Sequence, residues 1–311
     1  MTTVNVELFD KGLAADGPAG LTAGGPQTGS RSAPALDDLP VTRILPAAGW
    51  QPFNLAELWR FRELLYFLTW RDVKVRYKQT ALGAAWAVLQ PAMMMVVFTV
   101  FFSRMAGLSS GNLPYPVFCY MGLLPWTFFA TAIANAGNSV VSSERLITKI
   151  YFPRLAIPFA AVGAAVVDFL IAFTLLVALM LWYGVMPTWQ LAFVPVVFVV
   201  IAVMAVGVGT LLAGLNVAYR DFRYVIPFLV QLWLFGTPTI YMQAAKSNGG
   251  ALHALLALNP MTGLIAAFRA ACSGTPIAWG QFALSSAFAV VFFVGGCLCF
   301  RRMERNFADV I

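Results

Sequence analysis

Long apolar runs separated by short polar segments dominate the chain from residue 83 onwards. A helix needs about 20 predominantly apolar residues to cross the hydrocarbon core of a bilayer. The runs that reach or approach this length lie near residues 83 to 103, 116 to 137, 157 to 183, 190 to 214, 225 to 242 and 278 to 300. The pattern predicts an all-α membrane protein with six transmembrane helices. The fifth is short and contains Pro227, Gly236 and Pro238, so we expect it to be kinked.

A seventh apolar run, residues 251 to 272, needs a separate decision, because a span there would move the C-terminus across the membrane. Asn259 and Pro260 interrupt this run, and Arg269 lies in its second half. Helical segments that dip into the membrane and return are tolerated where protein covers their polar groups. We therefore predict two short re-entrant helices on the outward side.

The positions of the basic residues support this topology. With both termini cytoplasmic, the basic residues left outside are Arg104, Lys246 and Arg269. The cytoplasmic segments hold Arg60, Arg62, Arg71, Lys74, Arg76, Lys78, Arg145, Lys149, Arg154, Arg220, Arg223, Arg301, Arg302 and Arg305. This bias follows the positive-inside rule, and it accounts for the formal charge of +7 without a nucleic-acid partner.

The chain before the first span has two parts. Residues 1 to 52 are rich in Gly, Pro, Ala, Ser and Asp, and we predict that they form a disordered cytoplasmic tail ahead of a transmembrane domain of residues 53 to 311. From Phe53 to Tyr77, aromatic and Leu residues are mixed with charged ones, which suits the headgroup layer of a membrane. We predict an interfacial helix there, and a soluble juxtamembrane helix is the alternative.

The loop between the second and third spans has helical periodicity. The pairs Leu146/Ile147 and Ile150/Tyr151 are spaced so that they share one face of a helix, which Pro153 would end. The polar positions between and before these pairs are Ser142, Glu144, Arg145, Thr148 and Lys149. A basic helix with an apolar ridge can lie on lipid or dock on a partner protein, and the pattern leaves both interpretations open.

Composition and motifs exclude several classes of protein. Of the 311 residues, 60% are apolar and 11% are charged, against roughly 25% charged residues in soluble domains. No G-x-x-x-x-G-K-[ST] loop is present, so we expect no nucleotide site in this chain. His253 is the single histidine, and no pair of carboxylates lies at helical spacing inside a span. We therefore expect no metal site, and a proton-coupled carrier or a membrane transferase is disfavoured.

One acidic residue, Asp168, falls in the middle of the third span. A carboxylate at membrane depth is costly, so we expect it to face protein or water and to have a partner. One hypothesis is a group that lines or gates a transport pathway. The other, which we favour, is a packed polar residue that bonds to a neighbouring helix.

The first and fifth spans carry more aromatic residues than anchoring at two membrane surfaces requires. The candidates for rings that face a pathway are Trp86, Phe98, Phe228, Trp233, Phe235 and Tyr241. Rings on a pathway could stack on the C–H faces of sugar units. Lipid contact and core packing are the alternatives for each single ring.

Five stretches together resemble a known family. They are L-L-Y-F-L-T-W-R-D-V-K-V-R-Y-K-Q-T-A-L-G-A-A-W-A-V-L-Q-P (residues 64 to 91), L-I-T-K-I-Y-F-P-R-L-A-I-P (146 to 158), L-N-V-A-Y-R-D-F-R-Y (215 to 224), L-N-P-M-T-G-L-I-A-A-F-R (258 to 269) and R-N-F-A-D-V-I (305 to 311). The combination resembles the permease subunit of the type-two ABC exporters that move polysaccharides such as O-antigen, capsule or teichoic acid precursors. The resemblance covers nearly the whole chain after residue 52.

The resemblance implies a homodimer of six-helix subunits in the bacterial inner membrane, with two ATPase subunits bound on the cytoplasmic side. Those subunits would bind ATP and magnesium, and this chain would bind no cofactor. Residues 142 to 151 would be the coupling helix, residues 54 to 70 the interfacial helix and residues 244 to 276 the outward gate helices. The residues implied in the ATPase contact are Glu144, Arg145, Leu146, Ile147, Lys149, Ile150 and Tyr151.

The substrate that the resemblance implies is a lipid-linked polysaccharide. In this family the first and fifth spans line the channel, and the aromatic excess lies on those spans. A pore must bind each unit weakly enough to release it again, which suits stacking on rings. A drug or lipid exporter of the same fold is the alternative within transport, and a membrane transferase or a structural scaffold are alternatives from other classes.

Overall fold

The structure, a computed structural model, describes residues 55–78, 83, 85–105, 113–149, 152–219, 221–237 and 258–304. Every regular element within those ranges is helical. The helices are α1 (Leu55–Arg60), α2 (Arg62–Tyr77), α3 (Ala85–Phe98, continued by a π-helical segment, Thr99–Met105), α4 (Tyr115–Ser142), α5 (Glu144–Ile147), α6 (Ala156–Trp182), α7 (Val194–Ala218, preceded by a 3-10 helix, Trp189–Phe193), α8 (Phe222–Phe235), α9 (Pro260–Ser273) and α10 (Trp279–Glu304). The predicted tail, residues 1 to 52, lies outside the described residues.

Within those ranges, five helical stretches are long and apolar enough to cross a membrane. They are Ala85–Phe102, Tyr115–Ser142, Ala156–Trp182, Trp189–Ala218 and Trp279–Glu304. These match five of the predicted spans, and the chain is a multi-pass membrane protein. The remaining predicted span contains α8, which has 14 residues, and residues 238 to 242 lie outside the described part. A sixth complete span therefore stays a prediction.

Helix α4 forms the centre of the bundle, where it packs against α6, α7 and α9. It is buried along most of its length, and the side chains of Tyr120 and Phe129 are fully enclosed. The Tyr120 hydroxyl donates a hydrogen bond to the carbonyl of Ala172 on α6 at 3.0 Å, so the polar end of this buried ring is satisfied. Beside it, the rings of Phe169 on α6 and Phe198 on α7 stack with their centroids 4.1 Å apart.

Helices α7 and α10 cross in close contact, and glycine makes that contact possible. A Cβ atom added at Gly296 would collide with the carbonyl oxygen of Gly207, and one added at Gly207 would collide with the backbone of Phe293. The two helix backbones therefore touch directly. Such contacts between small residues are a common way to hold membrane helices together.

Helix α9 occupies the second half of the seventh apolar run and packs inside the bundle against α4, α7 and α10. The side chain of Asn259 caps its N-terminus, and Gly274, with φ of +73°, ends it in the left-handed conformation. With 14 residues it is about 21 Å long, too short for a bilayer core of about 30 Å. Residues 251 to 257 lie outside the described part, so the pair of re-entrant helices stays a prediction.

Arg269 on α9 is half-buried, which the sequence did not predict for a residue on the outward side. Its guanidinium lies over the ring of Phe118 on α4, with Cζ 4.0 Å from the ring centroid. The negative face of an aromatic ring attracts a cation in this position. Arg269 therefore helps to hold α9 against α4.

A second apolar cluster, which we call the basal cluster, joins α1 and α2 to the first turns of α6 and to the last turns of α4, α7 and α10. Its buried members are Leu58, Leu68, Val140, Phe152, Leu155, Ala156, Ile157, Ala160, Ala213, Val217 and Phe300. The predicted interfacial helix is thus two helices, α1 and α2, separated at Phe61 and docked on the bundle. Their position at a membrane surface stays a prediction.

Candidate coupling loop and channel wall

The loop between α4 and α6 contains the short helix α5. Leu146 and Ile147 are half-buried on it and pack against the basal cluster. The exposed side chains of this loop are Ser142, Glu144, Arg145, Thr148 and Lys149. The charged side of the loop therefore faces away from this chain, whereas its apolar side faces the bundle. Ile150 and Tyr151, the other predicted apolar pair, lie outside the described residues.

The end of this loop is fixed to two helices. Phe152 and Leu155 are buried in the basal cluster. The Arg154 guanidinium donates a hydrogen bond from Nη1 to the backbone carbonyl of Glu304 at 3.0 Å, and its Nε lies 3.9 Å from Glu304 Oε1. A displacement of the loop would therefore also move the start of α6 and the end of α10.

Helix α3 has one side that this chain leaves uncovered. Trp86 is 49% exposed, whereas Phe98 is half-buried and lies 5.9 Å from Phe102, centroid to centroid. Other exposed apolar side chains of α3 and its π-helical extension are Leu89, Met93, Met94, Val96, Val97, Val100 and Phe101. Of the two predicted aromatic candidates on α3, Trp86 is the more accessible.

Helix α8 also has an exposed aromatic stripe. Tyr224, Phe228, Leu232 and Phe235 follow one another at spacings of four and three, so they lie on one helical face. Phe228 is 63% exposed and Phe235 is 70% exposed. We call this face the α8 stripe. Tyr241, the remaining aromatic candidate on this predicted span, lies outside the described residues.

The side of α8 that faces away from most of the stripe packs incompletely on the bundle, and Leu232 lies at the border between the two. This side borders a half-open cavity of ≈ 400 Å³ with α4 and α7. The cavity is lined by the apolar side chains of Ile133, Val208, Leu212, Ile226, Leu229, Val230, Leu232 and Trp233. Ile226 anchors α8 in front of this cavity, where its Cδ1 atom lies in the space that a side chain at Gly137 would need.

Trp233 lies between the stripe and the core. Its ring meets the ring of Phe129 edge to face, with centroids 5.1 Å apart. Its indole Nε1 donates a hydrogen bond to Oδ1 of Asn259 at 2.9 Å. Trp233 is therefore less accessible than Phe228 or Phe235, and its predicted role in stacking stays a prediction.

Asn259 joins the end of α8 to the start of α9, a role that the sequence analysis missed. Its Oδ1 also accepts from the amide of Met261 at 3.1 Å, and its Nδ2 donates to the Gly236 carbonyl and to Thr237 Oγ1, both at 2.8 Å. With the bond from Trp233, the side chain uses all of its hydrogen-bonding capacity. The available signal was Asn followed by Pro, the preferred pair at a helix start.

Asp168 lies midway along α6, and its carboxylate accepts hydrogen bonds from two residues at the end of α2. The donors are Nη1 of Arg76 and the hydroxyl of Tyr77. The carboxylate therefore has partners on a neighbouring helix, and the choice between a packing role and a role in a transport pathway stays a prediction. Among the described residues, no three His, Cys, Asp or Glu side chains lie together as ligands for a metal ion.

Comparison with known proteins connects these features to a family. The model of the family described as "ABC-2 type transporter" matches residues 63–272 of this chain. The chain belongs to the ABC-2 type transporter family. The matched part runs from α2 to α9, so it contains the loop with α5, the α8 stripe and the contact between α2 and Asp168.

Three curated relatives are similar over most of the chain. The O-antigen export system permease protein RfbA of Myxococcus xanthus is 32% identical over 214 residues, which cover 69% of this chain and 82% of that protein. Two proteins of the same name from Klebsiella pneumoniae are 25% and 23% identical over 260 residues, covering 83% of this chain and 98% of each relative. This ABC-2 chain therefore matches the two Klebsiella proteins over nearly their full length.

Proposed function

We propose that this chain is the permease subunit of an ATP-driven exporter that moves an O-antigen-type polysaccharide across the bacterial inner membrane. The observation that carries the proposal is its similarity, along nearly their full length, to relatives whose names state O-antigen export. Membership of the ABC-2 family supports the same role. A lipid-linked form of the glycan is the proposed substrate.

In this proposal two copies of the chain form the channel, and each contributes six spans with both termini in the cytoplasm. The uncovered side of α3 and the α8 stripe would form the wall. Their rings are accessible in the single chain, and an aromatic face suits repeated, weak contact with sugar units. Helix α9, with the residues before it, would form the outward gate.

A separate ATPase subunit would supply the energy and would hold ATP and magnesium. The loop with α5 would be its docking site, because this loop presents charged side chains outward while its apolar side is fixed to the basal cluster. The loop is also tied to α6 and α10, so movement of the ATPase would be passed to the spans.

The test is deletion of the gene in its own cell, with the intact gene returned on a plasmid as the control. Loss of surface polysaccharide together with accumulation of lipid-linked polysaccharide inside is the expected result. Normal surface polysaccharide would contradict the proposal. If resistance to a toxic compound fell in those cells, the drug or lipid exporter of the same fold would be the better assignment.

A further inference from the structure

Helix α2 runs along the first half of α6 in the same direction. Near the start of α6, the Thr69 hydroxyl lies 3.4 Å from the Ala160 carbonyl and fills the space left open by Gly163. Seven residues further along α2, Arg76 reaches Asp168, together with Tyr77. The contact therefore begins in the basal cluster and ends at a charged pair beside the middle of α6.

The charged pair lies beside the middle of α6 and is partly covered by protein. Asp168 is about 18 Å along α6 from Ala156, close to the midpoint of this 27-residue helix. The side chains of Arg76 and Asp168 retain 30% and 20% exposure. Removing one partner of a half-buried ion pair costs more stability than exchanging both charges, because removal leaves the other charge without a partner.

The pair connects two parts of the chain that the proposed function uses differently. Helix α6 begins directly after the loop with α5, and that loop is fixed to it through Phe152 and Leu155. Helix α2 leads, after a short link, into α3, whose uncovered side belongs to the proposed channel wall. The Arg76–Asp168 contact is therefore placed between the side that receives the movement and the side that forms the channel.

We propose, on the basis of the function proposed above, that the Arg76–Asp168 pair is the joint that makes α2 follow α6 when the loop is displaced, and so moves α3. Thr69 against Gly163 keeps the two helices in contact, and the ion pair fixes their register. Arg76 and Asp168 are thus positioning residues for export. They are not required for ATP binding, because this chain contributes no nucleotide motif.

The test exchanges the charges in the full complex of this chain with its ATPase. Arg76→Asp and Asp168→Arg each place like charges together, so we expect surface polysaccharide to fall about tenfold in either single variant, within the range of coupling for contacting residues. The double variant restores an opposite pair and should recover export to within about threefold of the original chain. ATP hydrolysis by the purified complex should continue in the single variants, because the joint acts after the ATPase.

The chain offers a matched control on the same helix. Arg71 and Asp72 also form an ion pair, with a separation of 2.9 Å, but both belong to α2 and their side chains are 38% and 28% exposed. Arg71→Asp, Asp72→Arg and their double variant should export normally. If the control variants lost as much export as the Arg76 and Asp168 variants, the assignment would be overturned, because any change of charge on α2 would then be enough to block export.

Two further outcomes bear on the proposal. If a single variant protein does not accumulate in the membrane, Asp168→Asn is used in its place. This variant keeps the size of the side chain and removes its charge. Export lost with ATP hydrolysis retained in Asp168→Asn supports the joint, and normal export overturns it. Failure of the double exchange to recover export while the deletion strain lacks surface polysaccharide would reject the joint and leave the proposed function intact.

Discussion

At the scale of single residues, two adjacent glycines on α10 have opposite surroundings. Gly296 faces the backbone of Gly207, and a Cβ there has no space. At Gly295, its neighbour, no atom beyond the adjoining residues and backbone of the same helix lies within 4 Å of the position that a Cβ would take. The atom that blocks Gly296 is a backbone oxygen, so a change of rotamer cannot relieve the collision. The contact between α7 and α10 therefore depends on Gly296 and not on Gly295.

We predict that Gly296→Ala lowers the stability of the folded chain by about 1–3 kcal/mol, the usual cost of overpacking. Gly295→Ala should be neutral or stabilising, because alanine is favoured over glycine in a helix by about 1 kcal/mol. Thermal unfolding of the purified variants in detergent, followed by circular dichroism, measures both. Identical melting temperatures for the two variants would contradict the close crossing of α7 and α10.

The sequence predicted that a polar residue inside a span would have an interaction partner, but it did not predict which residue that partner is. The cost of a lone carboxylate in a span predicted a partner for Asp168. It did not predict Arg76, because that residue is 92 positions away and local patterns carry no pairing information. Arg269 was missed for a related reason, since the ring that it covers belongs to Phe118 on another helix.

At the scale of the helices, apolar runs located the five long stretches but did not reveal their order of burial. Helix α4 is the least apolar of the five and also the most buried. In a bilayer, lipid contact favours apolar side chains as strongly as burial in protein does, so hydropathy cannot separate the two. Helix α9 shows the same limit. Most of its 14 residues are buried because α4, α7 and α10 pack around it, and the hydropathy of the sequence does not reveal those contacts.

The loop with α5 allows a prediction that separates docking from folding. Ile147 packs against the basal cluster, so Ile147→Asp should lower the amount of folded chain in the membrane by placing a charge in an apolar contact. Arg145 and Lys149 are exposed, so changing both to Glu should leave that amount unchanged and weaken binding of the ATPase. Membrane abundance by immunoblot and co-purification of the two subunits distinguish these effects. Docking through the apolar side would be supported instead if Ile147→Asp lost only the ATPase.

At the scale of the whole molecule, exposed apolar surface does not by itself identify a channel wall, because every lipid-facing helix has such surface. The α8 stripe differs from ordinary lipid-facing surface in two respects. It carries three rings on one face, and α8 contains Pro227 and has only 14 residues. A short helix that contains proline is tolerated at membrane depth where neighbouring protein or water satisfies the backbone groups that the proline leaves free. The α8 stripe is therefore our candidate for the channel wall, and this assignment stays a prediction.

Phe228, at the centre of the α8 stripe, allows ring stacking to be separated from simple apolar contact. Phe228→Leu keeps an apolar side chain and removes the ring, so we expect export of polysaccharide to slow about two- to fivefold, as a loss of roughly 1 kcal/mol of stacking would give. Phe228→Tyr keeps the ring and adds a hydroxyl that a wet channel accepts, so export should stay near the original rate.

Trp182→Ala removes an 86% exposed ring at the end of α6 and is the control for general loss of aromatic surface. Pulse-labelled appearance of polysaccharide at the cell surface gives the rates. The reverse order, with Leu tolerated and Tyr defective, would place Phe228 against lipid or a second copy of the chain and would remove the α8 stripe from the channel wall.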